Sequence, residues 1–344
     1  MLVPFLESRG ARSPRLAFAW LTAGPFLLAL LLPLLALADV VTDGTLGDGS
    51  SPTGPDFWIT EAMGERPGGG PNLFHSFFEF NLDAAQSATF DGPDAVENIL
   101  GRVTGGSRSE IFGAIRTAPS LGEVDLYLMN PSGIVFGESA SLDINGSFHA
   151  TTADYIGLGG GGERFYADPS QSSLLSAAPP AAFGFLGEGV AADGLAAISV
   201  EGVTLQVQSG ESLSLIGRDV GSGGIEISAA TLRAAGGRID LVSVGAAGEV
   251  RLGAAESLDP PDVSEFEALG ALDIVSGSSV DASGDPPGSV WIRGGRLVAE
   301  ESEVLAVNHG ADPSGGRISI AADESVLVWQ EALIDAGTVA AGSG

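Results

Sequence analysis

The 344-residue sequence has no cysteine, no lysine and only three histidines. Without cysteine there is no disulfide scaffold, so a large hydrophobic core must hold the chain. The same absence lets the chain thread a narrow pore with no covalent loop in the way. Without cysteine or clustered histidine a zinc centre is implausible, since His75, His149 and His309 are far apart. Every basic residue is arginine, 15 against 44 acids, for a formal charge of −29. That balance argues against nucleic acid, whose phosphates require a basic footprint, and against anionic lipid.

Catalytic motifs are missing too. Ser107 and Ser109, in GGSRSE, have no G-x-S-x-G elbow around them. GGSR and GERPGGGP are glycine-rich but lack the phosphate-loop lysine. DGTLGDG (43–49) lacks EF-hand spacing and the closing glutamate, so it reads as a solvated acidic turn. No catalytic, metal or cofactor residue is assigned and no cofactor is expected. Paired carboxylates of glycosidase type, defined by a spatial separation, stay open at this level.

Helical signals are scarce. DAVENILGRV (94–103) places Val96, Ile99, Leu100 and Val103 at helical spacing and predicts one short helix, which Gly101 weakens.

What is present begins with an address. Arg9, Arg12 and Arg15 precede a long apolar stretch ending in Ala36-Leu37-Ala38. A basic segment, an apolar segment and an A-x-A site read as a secretory signal peptide over 1–38, cleaved near Ala38. An uncleaved anchor is the alternative, since the stretch approaches spanning length. The small-residue site and the polar DVVTDG that follows favour cleavage. Residues 39–55, rich in Gly, Asp and Ser, read as a flexible lead-in.

Short strand signals follow. In NLFHSFFEFNL, Phe74, Ser76, Phe78, Phe80 and Leu82 alternate onto one face, as in a sheet with one side buried. From about residue 195, short strands recur between Gly, Ser and Asp. Asp281, Asn308 and Asp335 fall 27 residues apart, and Val290 and Ile318 fall 28 apart. A unit of a few strands at that length is a solenoid signature, and the parallel β-helix is its natural form, with a β-sandwich as runner-up. Asp281, Asn308 and Asp335 would then stack as a ladder at matched corners. An open solenoid end exposes strand edges, so the aromatic-rich part from 57 to about 155 is the expected N-terminal cap. The chain ends at LIDAGTVAAGSG, in mid-coil, which reads as a rod continuing further.

Between two apolar runs lies Asn130-Pro131-Ser132-Gly133-Ile134. Proline presets φ for the second position of a type I turn, asparagine at the first can bond its own backbone, and glycine is favoured at the fourth. NPSG is therefore a corner.

Four blocks in order, NLFHSFFEFNLDAAQSATFDGP, ILGRVTGGSRSEIFGAI, DLYLMNPSGIVFG and LDINGSFHATTADYI, resemble the N-terminal haemagglutination-activity domain of filamentous-hemagglutinin-like exoproteins. These are the secreted members of two-partner secretion systems. The later GGIEISAATLRAAGGRIDLVSVG and VSGSSVDASG…VWIRGG resemble the β-helical repeats that follow in such proteins. The resemblance implies a right-handed parallel β-helix with an N-terminal cap. It divides the chain into 1–38, 39–55, a secretion domain over 56–190 and repeats over 191–344.

NPSGI matches the family's Asn-Pro-Asn-Gly-Ile turn, which assigns Asn130, Pro131, Ser132, Gly133 and Ile134 to the export motif. Ser132 departs from the family's asparagine, and Asn130-Pro131 is the chain's sole Asn-Pro, so the family's second such turn has no counterpart. The implied partner is an outer-membrane β-barrel transporter whose periplasmic domains capture the unfolded chain, in part by strand addition. A surface carbohydrate or protein receptor would be the target of an adhesive rod, secreted or held at the cell surface. The competing class is a secreted β-helical carbohydrate-active enzyme.

Overall fold

The computed structural model describes residues 40–187, 197–221, 223–253, 259–310 and 315–338. The signal-peptide segment, Asp39 and the division at 190 lie outside the described residues. Within them the chain is a parallel β-solenoid with three faces and no α-helix; two short 3₁₀ turns, Glu61–Met63 and Pro67–Gly69, precede the first full coil.

The first face stacks Asn72–Phe80, Asn98–Val103, Asp125–Met129, Phe148–Thr151, Ser212–Arg218 and Arg238–Val244, then the opening halves of Ser289–Glu300 and Arg317–Trp329. The second face stacks Ser109–Ile111, Ile134–Phe136, Ile198–Glu201, Ile225–Ser228 and Ala271–Val275, then the closing halves of the same two long strands. The third carries Asp56–Ile59, Ser87–Phe90, Ala114–Thr117 and Ser141–Asp143, followed by Thr204–Gln206, Thr231–Arg233, Ser279–Asp281, Glu303–Leu305 and Leu333–Asp335.

Parallel in-register stacking converts a sequence period into a column. Leu73, Ile99, Leu126, Phe148, Leu213, Ile239, Val290 and Ile318 align rung on rung and line the interior. The 28-residue spacing of Val290 and Ile318 is thus one true coil. No coil can bury its apolar edge alone, and each buried Leu, Ile or Phe contributes about 1.5–3 kcal/mol once neighbours cover it.

The predicted ladder of Asp281, Asn308 and Asp335 is out of register. Asp281 pairs with Leu305, and Leu305 with Asp335, while Asn308 bridges Gly284 and Thr338. Each of the three instead accepts the N–H two residues on, from Ser283, Gly310 and Gly337. The three share an Asx turn and do not stack on one another, and Asp281 is also held by Arg233 of the neighbouring rung.

The helix expected over 94–103 is absent. Asn98–Val103 is a strand, buried at all six positions between Asn72–Phe77 and Asp125–Met129. A strand covered on both sides carries a continuous apolar run, and such a run mimics helical spacing.

The alternation read in 72–82 also breaks. Leu73, Phe77, Phe80 and Leu82 point into the solenoid, Phe74 points outward, and Phe78 is half exposed. The cause is a bulge: Val41 pairs with Glu79 and Thr42 with Phe77, so Phe78 is skipped and the facing sides exchange.

The cap is smaller than the aromatic segment 57–155 suggested. Val40–Thr42, from the stretch read as lead-in, and Gly64–Glu65 pair antiparallel with Asn72–Phe80. From residue 72 onward the aromatic segment already belongs to regular coils.

Two coils carry long insertions at one corner, where Phe148 aligns with Leu213 and Ile239 with Val290. From these insertions Tyr155–Leu158, Glu163–Tyr166, Pro180–Phe185 and Gly248–Val250 form an antiparallel sheet. It covers the outer side of the first face through a second core of Phe74, Leu100, Tyr127, Phe165, Phe183 and Phe185.

Candidate functional site

Asn130–Ile134 makes the corner between the first and second faces. Gly133 N–H donates to the Asn130 carbonyl at 3.0 Å, closing the four-residue turn. Asn130 Oδ1 accepts the Ser132 N–H at 3.0 Å, the Asx bond its residue type allows. Gly133 has φ +113°, and an added Cβ would lie 3.1 Å from the Ala197 carbonyl oxygen. Glycine is required there on both counts. Pro131 is exposed. Ile134 is fully buried and sits in the second-face interior column between Ser109 and Ile198.

Asn130 does more than make its own turn. Its Nδ2 donates to the Ser107 carbonyl and to Ser109 Oγ, both at 3.0 Å, in the preceding coil. Its backbone N–H donates to the Thr151 carbonyl of the following coil at 2.9 Å. The side chain is 1 % exposed. Ser107 and Ser109, which have no nucleophile elbow around them, are its partners; their spacing of 23 and 21 residues is close to one coil. In the folded chain the motif's asparagine is therefore a staple across three coils, with its side chain hidden.

A concavity of about 390 Å³ opens between the outer sheet and the first face. Its floor is built by columns in register, Asn98 over Asp125, Tyr127 over His149 and Ser212 over Arg238, with Asp240 beside them. Tyr127 and His149 stack with ring centroids 4.4 Å apart. Burial pushes the His149 pKa down to about 4, Asp240 opposing and Arg238 adding to the shift. Burial raises the Asp125 carboxyl against hydrogen bonds from Ser147. Asp240 is held by Arg238 Nε at 2.8 and 3.0 Å.

The three histidines are not brought together. His75 lies in Asn72–Phe80, His149 in Phe148–Thr151, and His309 beside the third face. Among the described residues no group of three His, Asp or Glu is placed to hold a metal ion. Asp43 and Asp48 of DGTLGDG serve local turns, accepting from Thr45 and Ser50. Among those residues, too, no helix is long and apolar enough to cross a membrane.

No curated protein matches this sequence. Among solved structures the chain is similar to the HMW1 secretion domain from Haemophilus influenzae, at 14 % identity over 87 % of this chain and 90 % of that one, with a TM-score of 0.42. The family model of the TPS (two-partner) secretion domain matches residues 38–290. That span covers well over half of the sequence and contains the NPSGI corner, so the chain belongs to the TPS secretion domain family.

Proposed function

We propose that this chain is a secreted, filamentous-hemagglutinin-like exoprotein, exported through an outer-membrane β-barrel partner after its signal peptide is removed near Ala38. The match over residues 38–290 carries this reading. The export address is drawn at 56–190, around Asn130–Ile134, and the coils from 191 onward begin a surface rod for adhesion to a carbohydrate or protein receptor. The reading is non-enzymatic.

Burial of Asn130 adds a constraint. Its amide donors and carbonyl are all committed once the coils close. A periplasmic domain that reads this side chain must do so before the coils form around it, when the turn is free to be captured as extended chain.

The test is export in cells carrying the partner transporter, with secreted and periplasmic protein measured for Asn130→Ala and Asn308→Ala. Asn308 is equally buried and serves a similar turn, but lies outside the matched span. Asn130→Ala is expected to lower secretion more than its stability loss explains. Equal secretion of the two variants at matched stability would overturn the assignment of the motif.

A further inference from the structure

The outer side of the first face changes character along the solenoid. Over the first coils it is closed by the aromatic cluster around Phe74, Leu100 and Phe165. Over the middle coils the outer sheet stands off and leaves the 390 Å³ concavity, within the usual range of small-molecule sites. Its floor is polar and its walls, Pro179, Pro180, Phe183 and Leu252, are apolar.

Two floor groups are buried without a partner. Nδ1 of His149 and Oγ of Ser212 make no hydrogen bond, although these residues are only 7 % and 3 % exposed. Buried polar atoms are satisfied in the great majority of cases, so a pair of them lining one concavity calls for a reason. Asp125 beside them has one carboxyl oxygen fixed by the Ser147 N–H at 2.8 Å. Asp240 is compensated by Arg238.

We infer that this concavity binds a neutral, polyhydroxylated ring of monosaccharide size. Hydroxyls are both donors and acceptors, so they can serve the carboxylate of Asp125, the hydroxyl of Ser212 and the neutral imidazole of His149 together. The C–H faces of such a ring suit the proline and phenylalanine walls. An anion is disfavoured because the one uncompensated charge on the floor is the Asp125 carboxylate, and a phosphate or uronate would meet it in a low-dielectric setting. The site belongs to the folded chain and is independent of the export reading, whose motif lies at a different corner.

The experiment titrates the purified full chain with glucose, galactose, N-acetylglucosamine, myo-inositol and glucuronate. The imidazole nitrogens of His149 are followed by ¹⁵N NMR, and far-UV circular dichroism checks folding. At least one neutral ligand is expected to give a saturable shift, with glucuronate inert. Ser212→Ala and Asp125→Asn, each read separately, are expected to weaken that binding about ten-fold or more, the loss of one good contact. Ser212→Ala removes a group that bonds nothing through its hydroxyl in the structure, so it should fold if Asp125→Asn does not. The inference is overturned if no neutral ligand shifts His149 up to about 10 mM, weaker than the millimolar range. It is equally overturned if glucuronate binds better, or if the folded variants bind as the parent does.

Discussion

Replacing Asn130 by aspartate is the sharpest probe of what holds the corner. The two side chains are nearly isosteric, and both can accept the Ser132 N–H. They differ in the other terminal atom: the amide nitrogen donates to the Ser107 carbonyl and to Ser109 Oγ, whereas a carboxylate oxygen can only accept. Asn130→Ala deletes two cross-coil donors and one local acceptor at a site 1 % exposed. At about 1 kcal/mol per net hydrogen bond, with some recovery by rearrangement, the loss is about 2–3 kcal/mol.

Asn130→Asp keeps the local acceptor, and the Ser109 hydroxyl can turn to donate to it, but a negative oxygen is set against the Ser107 carbonyl in a buried position. It should therefore cost at least as much as alanine, about 3 kcal/mol or more at neutral pH. The introduced carboxyl has its pKa raised by burial and by that carbonyl, so protonation restores a donor. A raised folded pKa means the stability is present at low pH and lost as pH rises through it. The gap between the aspartate and alanine variants should consequently narrow on acidification. Urea unfolding of the refolded chain at pH 7.5 and pH 5, with a common m-value, measures all of this. An aspartate variant within about 0.5 kcal/mol of the parent at pH 7.5 would refute the staple, because surface substitutions fall in that range.

The remaining predictions concern acid stability and the mature terminus. His75 and His149 are buried, and burial lowers both from 6.5 to about 4, the Met63 backbone opposing at His75. Between those values the unfolded chain binds more protons, so stability is full above pH 6.5 and falls as pH drops towards 4. At pH 5 each histidine removes about 2 kcal/mol. The raised carboxyls of Asp125, Glu211, Glu226 and Asp273 act in the opposite sense, gaining stability on acidification. His149→Phe isolates one histidine: the variant should lose about 2 kcal/mol less stability than the parent between pH 7.5 and 5, and an equal loss in both would refute a buried neutral His149. N-terminal sequencing of exported protein should begin at Asp39, and a retained Met1 would refute cleavage.

What the sequence showed of this fold depended on whether a feature repeats. Val290 and Ile318 stack because 28 residues is one coil, and the apolar spacing alone conveys that. The 27-residue spacing of Asp281, Asn308 and Asp335 misled for a physical reason. On that face the coil is 24 residues from Asp281 to Leu305 and 30 from Leu305 to Asp335, so unequal turns average to an even period. Phe78 was hidden differently, since a one-residue bulge leaves composition untouched yet exchanges the two sides of a strand. The insertions break the period altogether, so the outer sheet and the concavity beneath it have no repeat to announce them.

The corner itself lies between these cases. NPSG was legible as a turn because a turn is local, and its partners were not, because they sit one coil away. Residue type nevertheless held a clue. In a chain with 44 acids, aspartate fills Asx turns at Asp43, Asp48, Asp168, Asp219, Asp262, Asp281 and Asp335. An acceptor serves those turns, and it also suffices where aspartate reaches another coil and meets a donor, as Asp219 does with the Ala271 N–H and Asp281 with Arg233. Asparagine at 130 supplies a donor as well, and the donor is what crosses to Ser107 and Ser109. The neighbours of residue 130 offer a carbonyl and a hydroxyl oxygen, so an amide fits this corner where a carboxylate would not, and both of its donors are committed once the preceding coil is in place.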